Sequence, residues 1–429
     1  MMSKNLRFID LFAGAGGLSE GFIRAGFEPI AHIEMDKYAC DTLKTRSAYH
    51  YLKKLDKLEI YKNYLREKQE KEDGSKLWNK VPENVINSVI NSTIGEDTLE
   101  DIFVKVDKLK GNELVDLIIG GPPCQAYSVV GRARIGKSVE NDPRNELYKY
   151  YVKFLERYEP RMFVFENVTG IKTAKGGKPL EDLNHLVKKL GYEMELRIQN
   201  ASEHRVLQNR KRVIIVGWKI KDEKGKQTKF CYPDLKKEEN SYKVLKDLFS
   251  DLPNIKAGEG ELCKFVKYNK PLSEMQYLKE AGIRNGKFDF TTQHIARPSN
   301  ENDREIYRRA VELWLNNKKR INYANLPKKL QRHKNKESFL NRFQVIDPYG
   351  CSHTVVAHIA MDGHYYIYPI EEPSLEDMRS ITIREAARLQ SFPDDYFFEG
   401  CRTSIFKQIG NAVPVVLAHK IAEEIRKIL

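Results

Sequence analysis

Four short apolar runs set the strongest limit on the fold of this chain. RFIDLF (7–12), LVDLIIGG (114–121), MFVFENV (162–168) and RVIIVGW (212–218) are separated by segments of helical character. Runs of Val, Ile, Leu and Phe this uninterrupted are strands buried on both faces, as in a mostly parallel sheet covered by helices. Roughly the first 220 residues are therefore expected to build an open, doubly wound α/β domain that binds ligands at the carboxyl ends of its strands.

The rhythm is interrupted twice. Residues 45–95, including KKLDKLEIYKNYLREKQEKEDGSK, mix charges with few large apolar side chains and read as an inserted, largely solvated helical excursion. From 220 to 350 the alternation disappears, and Lys, Asn, Gln and aromatic residues become frequent. The formal charge is +13, and residues 219–344 hold 29 Lys and Arg against 17 Asp and Glu, nearly the whole excess. A second domain facing a polyanion is the expectation, although a solvated basic face would have the same composition. The tail QIGNAVPVVLAHKIAEEIRKIL (408–429) regains an apolar helical period and is expected to pack back on the first domain.

Nowhere do 18 apolar residues run together, and residues 1–25 hold no apolar stretch of leader length, so neither a membrane span nor a secretory signal is read and the cytoplasm is expected. Six cysteines (Cys40, Cys124, Cys231, Cys263, Cys351, Cys401) without a CxxC pair argue against a zinc knuckle and a disulfide framework.

Chemistry-bearing motifs follow the strands. DLFAGAGGLSEGF (10–22) puts Gly14, Gly16 and Gly17 after the first strand, where missing side chains let backbone N–H groups approach a ligand. Twenty positions beyond Gly14, Glu34 in HIEMD (32–36) stands where a strand-end carboxylate accepts hydrogen bonds from ribose hydroxyls. In GGPPCQAYSVVGR (120–132) two prolines make a stiff turn that presents Cys124, although a lone cysteine is more often a small buried hydrophobe. FENVTG (165–170) supplies Glu166, and QNRKRVIIVG (208–217) supplies Gln208, Arg210 and Arg212. Spacing alone does not unite Cys, Glu and Arg.

In the ordered set FAGAGG, GGPPCQAYS, FENV, QNRKR, TIREAARLQSFPDDY and QIGNAVP the sequence resembles the DNA cytosine-5 methyltransferases of bacterial restriction-modification systems. The resemblance implies a Rossmann-like α/β S-adenosylmethionine-dependent methyltransferase domain (1–225 plus 405–429), a smaller target-recognition domain (226–384) and a hinge (385–404). It makes Cys124 the nucleophile that adds to C6 of a cytosine flipped out of duplex DNA. Glu166 then protonates or hydrogen-bonds N3, Arg212 contacts O2 and holds the carboxylate, and Arg210 lends potential that favours the thiolate. Phe12, Gly14 and Gly16 face the methionine end of the cofactor, Glu34 the ribose, with Met35 and Pro123 beside it, and Asn411 and Val413 close the pocket. Asp97 is the better candidate for the adenine amine and Asp107 the weaker. Gln125, Ser128, Arg132 and Arg134 are implied DNA contacts. The lead-in HRVLQNRKR departs from the small-residue and Val-Pro pattern common in the family.

The chemistry requires no metal. His353, His358 and His364 are read as structural or DNA-facing, because no cysteine or carboxylate cluster completes a zinc set in the sequence. The expected product is S-adenosylhomocysteine. Double-stranded DNA is the expected partner, with a cognate endonuclease sharing the site but forming no stable complex; the protein is expected to be monomeric, cytoplasmic and bacterial. Three rivals are weaker. A tRNA cytosine methyltransferase would not need a long basic reading segment, a DNA-binding regulator would not need a nucleophile, and a nicotinamide oxidoreductase shares only the glycine turn.

Overall fold

The computed structural model describes residues 5–70, 74–123, 146–222, 224–333 and 337–429. Seven strands, β1 (Arg7–Leu11), β2 (Glu28–Glu34), β3 (Val89–Asn91), β4 (Leu117–Gly120), β5 (Met162–Asn167), β6 (Tyr192–Asn200) and β7 (Lys211–Lys219), form one sheet in the order β3-β2-β1-β4-β5-β7-β6. Each of the four apolar runs supplies a strand. Pairing is parallel from β3 to β5, whereas β7 runs antiparallel to β5 and β6. The link from β6 to β7, residues 201–210, is too short for the helical crossover that a parallel partner requires.

The strand order reverses between β1 and β4, which opens a crevice at their carboxyl ends. Alternate residues of the apolar runs serve opposite faces. Phe8, Ile119, Val164 and Ile214 pack with Leu18 and Phe22 of α1 (Gly17–Arg24) and with Leu417, Ile421 and Ile425 of the terminal helix Val415–Ile428. The expected docking of the tail on the first domain is therefore observed. Ile9, Ile118, Phe163 and Ile215 pack on the other face with Ile102, Phe103, Tyr151, Leu155 and Leu183. Gly21 lets the first and last helices touch: a Cβ there would lie 2.4 Å from the His419 nitrogen.

The interval 45–95, expected to be solvated, contains β3 and much of a core instead. Tyr49 and Leu52 of α2 (Lys37–Lys54) and Tyr61, Tyr64 and Leu65 of α3 (Leu58–Gln69) are buried with Phe288, Phe290 and Phe397. Tyrosine carries an apolar ring behind a polar tip, so a segment read as hydrophilic supplies a packed layer whose hydroxyls find partners. Tyr49 donates to Asp395 Oδ2 at 2.6 Å and Tyr61 to the Asp395 carbonyl at 2.9 Å.

Besides Phe288 and Phe290 in the tyrosine layer and Tyr232 and Leu235 against the sheet, residues 226–384 build much of two further cores. Val244, Leu248, Tyr277, Ile346 and Val355 pack with Ile383, Leu389, Phe392, Ile405 and Ile409. Ile306, Tyr307 and Val311 of helix Glu301–Asn317 pack with Tyr323, Phe343, Ile367 and Met378 as a small lobe of its own.

Residues 385–404, expected to be a hinge, overlap a deeply held stretch: Ile381 through Glu399 are all buried. Helix Ile383–Leu389 starts in a capping box of Thr382 with Glu385. Arg388 bonds Asp251 at 2.5 Å, Asp394 at 2.6 Å and the Leu248 carbonyl at 2.6 Å, and Arg284 adds a 2.8 Å pair to Asp251. Arg46 likewise joins Glu20 at 2.6 Å to Asp395 at 2.9 Å. These pairs brace the segment against both lobes. No helix among the described residues is long and apolar enough to cross a membrane.

Removing one partner of such a network leaves uncompensated buried charge. Arg388→Leu is expected to cost about 3–5 kcal/mol, read as a lowered urea midpoint by circular dichroism. An unchanged midpoint would show that Arg388 does not brace the segment.

Candidate active site

The cofactor side of the crevice begins where β1 ends. Phe12, Gly14 and Gly16 all take positive φ (56°, 56° and 78°), which turns the chain sharply into α1. Glu34, at the end of the neighbouring β2, reaches back to this turn. Its Oε2 accepts the Gly14 N–H at 2.8 Å, and its Oε1 accepts the N–H groups of Met35 at 2.9 Å and Asp36 at 2.8 Å. Burial raises the Glu34 carboxyl above its usual range in spite of these three donors. Among the described residues no atom lies within 4 Å of the position a Gly14 Cβ would take, so the turn faces open space there. At Gly17 the same atom would lie 2.4 Å from the Val413 carbonyl, so the GNAV segment sits directly on the turn. Val413 is buried, and Asn411, which ends helix Arg402–Asn411, is exposed, as is Met35.

The two candidate acids beyond β3 lie at opposite ends of a helix. Asp97 is exposed in the short turn Glu96–Thr98 that follows β3, on the crevice edge of the sheet. Asp107 lies near the end of helix Leu99–Lys110, remote from that edge, and pairs with Arg157 at 2.5 Å.

The second half of the site is the seam between β4 and β5. Gly120 pairs with Leu11 on one side and Phe165 on the other, so the Gly-Gly-Pro-Pro turn leaves the sheet between the glycine turn and Glu166. A Cβ on Gly121 would lie 2.7 Å from Glu166 Oε2. Asn167 donates from Nδ2 to the Pro122 carbonyl at 3.2 Å and is almost fully buried. The antiparallel register of β5 and β7 sets Glu166 opposite Ile214, and Arg212 Nε meets Glu166 Oε1 at 3.0 Å. Both side chains retain slight exposure, 12% for Arg212 and 13% for Glu166, as groups at the floor of a cleft do.

Arg210 is set apart from this pair. Its guanidinium is buried and donates to the Val355 carbonyl and, at 3.2 Å, to the Gly410 carbonyl. It fastens the segment before Asn411 to residues 351–356. The sequence suggests that Arg210 lends potential to the Cys124 thiolate; Cys124 lies outside the described residues, and among those described Arg210 holds the two carbonyls. Gln208 adds to the same fastening: its side chain accepts the Val355 N–H at 2.8 Å and donates to the Leu389 carbonyl at 2.8 Å. Gln390 completes it by donating to the carbonyls of Ile409 at 2.7 Å and Ala412 at 3.1 Å.

Pro123 ends the described turn; Cys124, Gln125, Ser128, Arg132 and Arg134 lie outside the described residues. Asn167 and Gly121 were not singled out from the sequence, although both stand inside quoted motifs. Their signal is tertiary, since each acts by touching the other's strand.

A turn that cradles a ligand beside a strand-end carboxylate, next to a carboxyl held by a guanidinium, is suited to bringing a nucleoside cofactor and an electrophilic ring together. Solved structures similar to this one share its fold. A DNA modification methyltransferase encoded within an E. coli prophage superposes with a TM-score of 0.63 at 22% identity, covering 99% of each chain, and a Spodoptera frugiperda DNMT2 with 0.54 at 14%, also covering 99% of each. At that identity the likeness concerns the fold. The family model of the C-5 cytosine-specific DNA methylases matches residues 6–70 and 83–427, and the chain belongs to that family. A Type II methyltransferase of Bacillus paralicheniformis is 39% identical over 98% of this chain and 98% of its own, and one from Desulfomicrobium norvegicum is 30% identical over 98% and 88%. Between its two matched stretches the family model skips only residues 71–82, so α2, α3 and β3 belong to the shared body.

The two halves of the site are separable by substitution. Glu34→Ala removes charge-assisted hydrogen bonds and is expected to weaken S-adenosylmethionine binding ~10–100-fold by isothermal titration. Glu166→Gln is expected to leave that binding nearly intact while slowing methyl transfer ~10²–10⁴-fold. Equal loss of cofactor binding in both variants would contradict the division.

Proposed function

We propose that this protein transfers a methyl group from S-adenosylmethionine to C5 of a cytosine flipped out of a specific double-stranded DNA sequence, through a covalent bond between Cys124 and C6. The observation that carries the reading is the Glu166–Arg212 pair lying against the Gly121–Pro122 turn that leads into Cys124. Cytosine C5 is a poor nucleophile; addition of a thiolate at C6 moves electron density onto it, provided that N3 receives a proton or a strong hydrogen bond. Glu166 is the group held for N3, and Arg212 orients its carboxyl and reaches toward O2.

The open cradle above Gly14 and the inward-facing Glu34 fit a cofactor with a ribose. Bound there, S-adenosylmethionine would supply the electrophilic methyl group. Phe12, Gly14 and Gly16 would line its methionine end, Glu34 would exchange backbone partners for ribose hydroxyls, and Met35, Asp97 and Pro123 would border the nucleoside. Asp97 is preferred to Asp107 because the latter is remote and ion-paired. Asn411 and Val413 would close the pocket over the glycine turn. Loss of the C5 proton and β-elimination then release Cys124. Gln125, Ser128, Arg132 and Arg134 are proposed to meet the DNA, and the exposed Lys319, Arg320, Lys328, Lys329 and Arg332 of the basic segment to meet its phosphates.

The names of the relatives support a role as the protective methyltransferase of a Type II restriction-modification system. A bacterial cytoplasmic location, a monomeric state and a cognate endonuclease that shares the site without a stable complex are part of the same proposal. Recognition is assigned to residues 226–384, with the small lobe as its outer part.

Bisulfite sequencing of plasmid from an expressing host should show protected cytosines in one sequence context, and Cys124→Ser should erase them while the purified variant still binds duplex DNA. Persistence of the protected cytosines in the variant would refute the nucleophile. Substituting Lys319, Arg320, Lys328 and Lys329 by Ala should weaken specific and random duplexes alike. It should flatten the slope of log affinity against log salt by about one unit for each phosphate no longer neutralised. An unchanged slope would place the DNA elsewhere.

A further inference from the structure

Three segments distant in the sequence bring a carboxylate and two imidazoles together in the small lobe. Asp303 comes from the first turn of helix Glu301–Asn317, His333 from the end of the basic segment, and His364 from the loop after residue 360. Their ligand-capable atoms all lie within 4.8 Å of one another. The two imidazole rings stand 5.3 Å apart at an interplanar angle of 87°. His353 and His358 take no part: His353 Nε2 meets the Tyr365 carbonyl at 2.5 Å and its ring stacks on Tyr366, while His358 is exposed.

We propose that Asp303, His333 and His364 bind a divalent transition-metal ion, Zn²⁺ by preference, as a structural clamp of the small lobe. Two imidazole nitrogens and one carboxylate oxygen are a borderline donor set that suits Zn²⁺, with water in the fourth position. The Tyr307 hydroxyl lies 2.7 Å from His364 Nδ1, which fixes that ring and leaves Nε2 as the ligand atom. The ring nitrogens of His333 make no hydrogen bond among the described residues. A cavity of about 360 Å³ lined by Arg297, Asp303, Tyr307, Asp362 and His364 gives the ion and its water a way in. Asp362 adds a second carboxylate beside the cluster: its Oδ1 lies 3.7 Å from His364 Nε2.

Tetrahedral ligands at ~2.0–2.1 Å from Zn²⁺ stand about 3.4 Å apart, so side-chain rotations of order an ångström close the site. The ion would tie helix Glu301–Asn317 to the basic segment and to the 360s loop, across a lobe whose own core is small. It stands apart from the methyl-transfer chemistry and supplies no step to it.

The test uses full-length protein stripped with a chelator and titrated with ZnCl₂ in a calorimeter, with melting temperature read in parallel. Wild type should bind one Zn²⁺ and melt at a higher temperature with it. Both effects should vanish, with affinity down at least tenfold, in His333→Ala and in the nearly isosteric Asp303→Asn, and persist in His358→Ala and in Cys231→Ser/Cys401→Ser. Far-ultraviolet circular dichroism checks that each variant is folded. Absence of stoichiometric binding in wild type, or binding equal in wild type and Asp303→Asn, would overturn the proposal.

Discussion

Glu166 lies so near Gly121 that no side chain fits between them, and the next residue, Asn167, holds the Pro122 carbonyl. This contact locks the turn after β4 to the end of β5, and the rest of the site depends on it. The parallel register of β1, β4 and β5 brings the glycine turn alongside. The antiparallel β7 then delivers Arg212 to the far side of the carboxylate. The Gly121–Pro122 turn is therefore fixed against an acid and its guanidinium, beside the glycine turn. Preorganisation of this kind means that little of the arrangement has to be assembled when substrate arrives.

A second set of constraints fixes one edge of the cradle. Gly17 lies under the Val413 carbonyl, Gly410 would drive a Cβ to within 2.4 Å of the Val356 backbone, and Arg210, Gln208 and Gln390 tie the same loop to residues 351–356 and 389–390. The GNAV segment and residues 351–356 are thus one fastened unit. Buried pairs of Arg46 and Arg388 extend the fastening across the lobes. The segment expected to be a hinge is thereby buried from Ile381 through Glu399 and ion-paired to both of its flanks.

The strands were legible in the sequence because doubly buried strands leave no polar alternation to confuse them: Phe8 and Ile9 face opposite layers and both are apolar. Glu34 was legible because a strand-end acid at a fixed distance from a glycine turn is a local pattern. The Tyr49, Tyr61 and Tyr64 layer was not, since each tyrosine counts as polar until its ring is seen against Phe288 and Phe397. Spacing alone does not separate Arg210 from Arg212, although the family resemblance gives Arg212 the carboxylate. They stand two residues apart in one motif, and only tertiary contacts send one to Glu166 and the other to the Val355 and Gly410 carbonyls. The Asp303, His333 and His364 cluster is invisible for the same reason: its members share no local spacing.

The central claim is that the turn held by Glu166 and Asn167 presents Cys124 as a nucleophile to C6 of cytosine. The most direct measurement is to incubate the protein and S-adenosylmethionine with a duplex carrying 5-fluorocytosine at the methylated position, then to map the product by peptide mass spectrometry. Fluorine cannot leave as a proton does, so the account predicts a denaturation-resistant adduct whose only modified peptide contains Cys124. Efficient methylation of the ordinary duplex with no such adduct, or an adduct on another residue, would contradict it.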